Sequence, residues 1–243
     1  MSEPLLVARG VTRRFGGFLA LDQVDLSVSA GERVGLIGPN GSGKSTLVNC
    51  IAGTLRHGAG SIRFDGRDVG GLAPHRRVRL GIARSFQIPR PFASMTVREN
   101  LLVPLSYADG SRPRRDRAAL ADEAMAILRQ VGLEAKADRR SGELTQVDMR
   151  KLELARAVAA RPKLLVSDEA MAGLSSSEMD DIIGILLEMK GRGIAVVLIE
   201  HIMRAVVRFS ERIAVLVAGR KVADGAPETV LRHPEVERAY LGQ

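Results

Sequence analysis

The stretch GPNGSGKST, Gly38 to Thr46, constrains this chain more than any other. It follows a short apolar run, RVGLIG, and opens an amphipathic run, KSTLVNCIAG. The context is therefore strand, tight turn, helix, and Gly38 to Ser45 matches G-x-x-x-x-G-K-[ST]. Gly38, Gly41 and Gly43 permit the curl, and its backbone N–H groups can point at phosphate oxygens. Lys44 is placed to reach β and γ phosphates, and Ser45 offers a hydroxyl to Mg²⁺. Pro39, Asn40, Ser42 and Thr46 complete the candidate phosphate-binding set. The bland alternative is a chance glycine-rich turn, which the matched strand and helix argue against.

Three further strand ends carry chemistry of the same kind. LLVSDE is an apolar strand ending in Asp168, which puts a carboxylate where a Mg²⁺ shell would need one. Glu169 follows and can polarise a water for attack on a γ phosphate. Alone it would be a strand-end acid; beside a phosphate loop it reads as a base. His201 ends VVLIEH, and open α/β sheets hold ligands at the carboxyl ends of their strands. It is a candidate hydrogen-bond partner of the γ phosphate. Gln87 ends ARSFQ, and its amide can bind Mg²⁺ or the lytic water.

Strands alternating with helices predict an α/β fold with a mainly parallel sheet. The first third reads as half-buried strands, LLVARGVTRRF and LALDQVDLSVSAGE among them. Residues 88–162 differ: they are rich in Arg, Ala and Leu with helical periodicity, as in ALADEAMAILRQVGL. They are expected to form a helical lobe inserted in a core of residues 1–87 and 163–243. SSSEMDDIIGILLEMK is a helix with a capping box from Ser175 to Glu178. The basic runs PHRRVRLG and SRPRRDR are expected to be solvated faces.

Composition narrows the partners. The formal net charge of +8 favours an anionic one. Aromatics are only 3% and Trp is absent, which argues against stacking platforms for single-stranded nucleic acid. Cys50 is the sole cysteine, so no internal disulfide forms and a reducing, cytosolic setting fits. The amino-terminal stretch has no signal-peptide core, and no apolar run approaches the ~20 residues of a spanning helix. Work at a membrane would be done from its surface or from a partner.

One helix entry raises a question. In SGELTQVDMRKLELAR, Ser141 to Arg156, a turn leads to Thr145, Gln146, Val147 and Asp148 before the amphipathic part. A helix start can bind phosphate, or it can be capped by its own Asp, which would repel phosphate.

The phosphate loop, Gln87, the helical insert, Asp168–Glu169 and His201 occur in an order that resembles the nucleotide-binding subunit of an ATP-binding-cassette (ABC) transporter. The resemblance covers essentially the whole chain. RFGGFLALDQVDL, RSFQIPRPFASMTVRENLLV, IEHIMRAV and PEVERAYLG look like importers of branched-chain and other hydrophobic amino acids. It implies a P-loop NTPase (RecA-like) core with an amino-terminal antiparallel β subdomain and an inserted α-helical subdomain. It implies ATP and Mg²⁺ as ligands, Phe15 stacking on adenine, and Gln87 coupling the site to transmembrane permease subunits. Ala172 to Ser175, AGLS, would cross a dimer interface. An external solute-binding protein is implied indirectly, and a seat on the cytoplasmic face of the membrane through the permease. Ala170 stands where the family usually has Pro, which predicts a slightly altered turn and intact chemistry.

In that family two subunits sandwich two ATP molecules, each between one chain's phosphate loop and the other's signature, usually L-S-G-G-Q. Leu144 to Asp148, LTQVD, stands in the signature position. Thr145 keeps a hydroxyl, Val147 replaces a glycine, and Asp148 adds a charge near the γ phosphate. Two like charges ~4 Å apart cost ~4 kcal/mol at an effective dielectric near 20. A degenerate signature with an intact phosphate loop predicts a heterodimer with a second cassette subunit. The alternative is a non-transport ABC ATPase acting on nucleic acid or ribosomes. Such proteins usually carry tandem cassettes or long coiled-coil inserts, absent here, so no nucleic acid is expected. A P-loop kinase gives no role to His201 or to the inserted lobe.

Overall fold

A computed structural model describes residues 3–85, 89–107 and 116–241. The chain opens with a hairpin of β1 (Leu6–Phe15) and β2 (Phe18–Val28). Val24, Leu26 and Val28 point inward and alternate with exposed Asp25 and Ser27, the pattern of a strand with one wet face. Then come β3 (Arg33–Ile37), α1 (Lys44–Ala52), β4 (Ala59–Phe64), β5 (Arg67–Asp68), α2 (Pro74–Leu80) and β6 (Ile82–Ser85). Helices α3 (Val97–Tyr107), α4 (Arg117–Gln130) and α5 (Gln146–Ala159) follow. The chain closes with β7 (Leu164–Asp168), α6 (Ser176–Lys190), β8 (Ala195–Ile199), α7 (Met203–Phe209), β9 (Arg212–Val217), β10 (Arg220–Gly225), α8 (Pro227–Leu231) and α9 (Pro234–Leu241).

Two sheets result. One is antiparallel, in the order β2-β1-β4-β5. The other runs β10-β9-β3-β8-β7-β6, parallel throughout except for β10 on its edge. The strands β7 and β8 are fully buried, as apolar runs covered on both faces should be. Their alternation assigns the faces. Leu165, Val196 and Leu198 share a core with α3, α4, α5 and α6. Leu164, Val166, Val197 and Ile199 share the other with α1 and the antiparallel sheet. The expected α/β core, antiparallel subdomain and helical insert are all present.

Strand register sets the functional end of the sheet. Leu36 of β3 and Asp168 of β7 both pair with Ile199 of β8. The phosphate loop, the acidic pair and His201 therefore leave the sheet side by side at its carboxyl edge. The capping box on α6 forms as expected: Glu178 N donates to Ser175 Oγ, and Ser175 N to Glu178 Oε2 at 2.8 Å.

The basic run PHRRVRLG departs from expectation. It forms α2, and Arg77 within it is only 2% exposed. Its guanidinium donates to Cys50 O at 2.6 Å and Ile51 O at 2.8 Å, at the end of α1, and to Leu72 O and Gly70 O. A helix end presents carbonyls without intrahelical partners and a negative dipole end, and Arg77 satisfies both. Gln87 and most of SRPRRDR lie outside the described residues. Among the described residues no helix is long and apolar enough to cross a membrane.

Candidate active site

The phosphate loop links β3 to α1, and two glycines are required by contact as well as conformation. Gly38 has φ 150°, and a Cβ there would lie 2.1 Å from Leu216 O. Gly43, the N-cap of α1, has φ 103°, and its Cβ would lie 2.6 Å from Ala20 O. Lys44 starts the helix and turns back into the loop. Its Nζ donates to Gly38 O at 2.7 Å, Pro39 O at 3.0 Å and Ser42 Oγ at 3.4 Å. Burial pulls the ammonium below its ordinary pKa, and the charges of Glu169 and Asp168 oppose that pull.

The acids sit where β7 ends. Asp168 is nearly buried, and its Oδ2 accepts from Arg84 Nη2 of β6 at 2.7 Å. The same guanidinium donates to Asn49 Oδ1 of α1 at 2.6 Å, tying three site-bearing elements together. Glu169 has φ 48°, a left-handed conformation costing on the order of 1–3 kcal/mol in a non-glycine residue. Its N–H donates to Ile199 O at 2.9 Å, and its Oε1 meets His201 Nε2 at 2.7 Å. Candidate base and candidate phosphate ligand thus touch each other.

One cleft collects most of the candidates: Phe15, Asn40, Gly41, Ser42, Gly43, Lys44, Ser45, Thr46, Glu169 and His201. Gly38 and Pro39 join it through Lys44. Phe15 lies at its rim, 46% exposed, with the Arg13 guanidinium 4.9 Å from the ring centre. Phe18 and Ala20 also line the cleft. Sequence reasoning missed Phe18, which faces Phe15 across the hairpin turn. The signal was available in FGGF, two aromatics flanking a Gly-Gly turn.

The donors fit a magnesium ion that arrives with a nucleotide. Mg²⁺ favours hard oxygens and, in phosphate sites, one or two protein ligands beside the phosphates and waters. Ser45 supplies an exposed hydroxyl and Asp168 a carboxylate. Among the described residues no cluster of three or more His, Cys, Asp or Glu could hold a metal by itself. Gln87, the third metal candidate, is not among the described residues.

Residues 21–172 match the family model for ABC transporters. The chain belongs to the ABC transporter family. It is 39% identical to the high-affinity branched-chain amino acid transport ATP-binding protein BraF of Pseudomonas aeruginosa, with all of both chains covered. It is 38% identical, again over all of both chains, to LivG of Escherichia coli, whose description is the same. The crystal structure of the ADP conformation of MJ1267, an ATP-binding cassette of an ABC transporter, resembles it with a TM-score of 0.89 at 34% identity, and both chains are fully covered. The chain is an ABC importer ATPase subunit.

The entry to α5, LTQVD, differs from the L-S-G-G-Q that the family resemblance implies there. Thr145 caps the helix, and its hydroxyl accepts the Asp148 N–H at 3.3 Å. That hydroxyl donates to Asp148 Oδ2 at 2.7 Å, and Lys136 Nζ donates to the same oxygen. Burial pushes the Asp148 carboxyl up, but the Lys136 and Thr145 bonds outweigh it and hold the group below its ordinary value. The charge expected to confront phosphate is therefore countered by a lysine twelve positions upstream. The helix caps itself, which answers the question its sequence raised.

Proposed function

We propose that this chain hydrolyses ATP to drive uptake of branched-chain amino acids or related small solutes. The observation that carries the reading is the single cleft holding Lys44, Ser45, Glu169 and His201, with the last two 2.7 Å apart. The solute class rests on BraF and LivG, whose descriptions name that transport.

In this reading the nucleotide phosphates draw Lys44 off its own loop carbonyls. Phe15 carries the base. Glu169 orients a water and takes its proton, and His201 turns to the γ phosphate. Ser45, Asp168 and Gln87 would hold magnesium, which would supply charge neutralisation for the phosphates when bound. Residues 88–162 act as a helical lobe on a core of 1–87 and 163–243, and Gln87 couples the nucleotide site to the permease. The chain sits peripherally on permease subunits at the cytoplasmic face, with a solute-binding protein on the far side. It pairs with a second cassette subunit, so that its intact phosphate loop faces a better signature than its own.

Proteoliposomes holding the permease, both cassettes and internal ATP test this, with the external binding protein supplied. Labelled leucine should enter, and Lys44→Ala should abolish ATP binding and uptake together. Glu169→Gln should bind ATP and slow hydrolysis about a hundredfold or more. Uptake that ignores both substitutions would overturn the reading, and uptake of an unrelated sugar instead would overturn the solute class.

A further inference from the structure

Three successive residues at the end of β8 hold the segment that carries the candidate base. Ile199 O accepts the Glu169 N–H at 2.9 Å. Glu200 Oε1 accepts the Met171 N–H at 2.9 Å. His201 Nε2 meets Glu169 Oε1 at 2.7 Å. The proposed function uses the third contact and leaves the second unexplained.

Glu200 is 2% exposed, and Met171 is fully buried. A buried carboxyl is expensive unless hydrogen bonds or an opposite charge offset its lost hydration. The other charged groups facing Glu200 are Glu169 and His201 beside it and Arg150 from α5. Arg150 is itself buried, and its Nε and Nη1 have no hydrogen-bond partner among the described residues. A hydrophobic residue would fill the space more cheaply. What it could not do is accept the Met171 N–H. That bond closes the turn immediately after Glu169, whose backbone is left-handed at φ 48°. A conformation of that kind persists only where its surroundings over-determine it.

We propose that Glu200 is a positioning residue for Glu169: its side chain holds the Met171 N–H and so fixes the turn that aims the base at the cleft. The inference rests on the reading of Glu169 as the base. Burial raises the Glu200 carboxyl to about 7, so it has a substantial neutral fraction near neutral pH, and a neutral carboxyl still offers a carbonyl oxygen to Met171. The acceptor, rather than the charge, is what the turn needs.

The comparison is of Glu200→Gln, which keeps the acceptor, with Glu200→Met, which removes it at similar volume. Steady-state kcat and KM for ATP hydrolysis are measured in the assembled transporter. Glu200→Met should lower kcat about tenfold or more while KM moves less than about threefold, and Glu200→Gln should recover most of the rate. If Glu200→Met does not fold, Glu200→Asp replaces it, because one methylene less withdraws the oxygen from Met171 while keeping the charge. Overturning results are a normal kcat in the Met or Asp variant, a Gln variant as slow as they are, or a loss confined to KM. Glu169→Gln runs alongside: if it hydrolyses normally, the assignment of the base has failed, and a slow Glu169→Gln with a normal Glu200→Met isolates the failure to Glu200.

Discussion

Thr145 Oγ1 donates to Asp148 Oδ2 across 2.7 Å, and the Asp148 N–H returns to the same hydroxyl at 3.3 Å. The single hydrogen of that hydroxyl is therefore spent inside its own helix. A phosphate approaching α5 would have to compete with a carboxylate that Lys136 also holds.

Restoring the last two residues of the L-S-G-G-Q signature should release that hydroxyl. Purified alone, the chain should hydrolyse ATP weakly. Val147→Gly combined with Asp148→Gln should raise the rate about tenfold, as loss of one charged competitor allows. Brisk, cooperative hydrolysis by the unaltered chain would show that Thr145 and the helix N–H groups already suffice.

The two rim aromatics should be unequal. Arg13 rests on the Phe15 ring, which leaves the ring fixed beside the cleft, whereas Phe18 is 63% exposed. Phe15→Ala should weaken ATP binding by the ~1–3 kcal/mol of a lost base–aromatic stack. Phe18→Ala should cost less than about 1 kcal/mol, a lip residue losing partial contact. Calorimetric titration separates them, and equal losses would move the adenine onto both rings.

Arg77→Met should destabilise the fold by about 2–4 kcal/mol, because it strips charged donors from buried carbonyls at the end of α1. Thermal unfolding measures this. An unchanged melting temperature would mean that water replaces the guanidinium at no cost.

Stability should also depend on pH through Glu200. Its folded pKa, about 7, lies above the ordinary glutamate value, so folding favours the neutral form. The contribution is fully present below the ordinary carboxyl range and is lost as pH rises through about 7. On the order of 3 kcal/mol should disappear across that window. Glu200→Gln should flatten the slope, measured by denaturant titration at pH 5 and pH 8. A slope that survives the substitution would assign it to another group.

The parts legible in the sequence were those set by local geometry. Gly38 and Gly43 announce a loop that no side chain could enter, and Asp168, Glu169 and His201 announce themselves by ending apolar strands. The Ser175–Glu178 box is a contact within one helical turn. What escaped were contacts made by tertiary packing. Lys136 and Asp148 stand twelve positions apart in different elements, and only the tertiary fold brings them together. Arg77 is one of three arginines in a short run, and only the position of α1 decides which of them is buried. Arg84 looks like an ordinary strand residue until β6 and β7 pair and bring it against Asp168.

The lysine curled into its own loop has a kinetic meaning as well as a static one. Gly38 O, Pro39 O and Ser42 Oγ act on Lys44 as a built-in competitor, present at a fixed local concentration that dilution cannot lower. A ligand that lacks enough negative charge to win the ammonium leaves the loop closed on itself. In the proposed reading, selection for a full phosphate chain is thus exerted by the protein's own backbone, within this one chain.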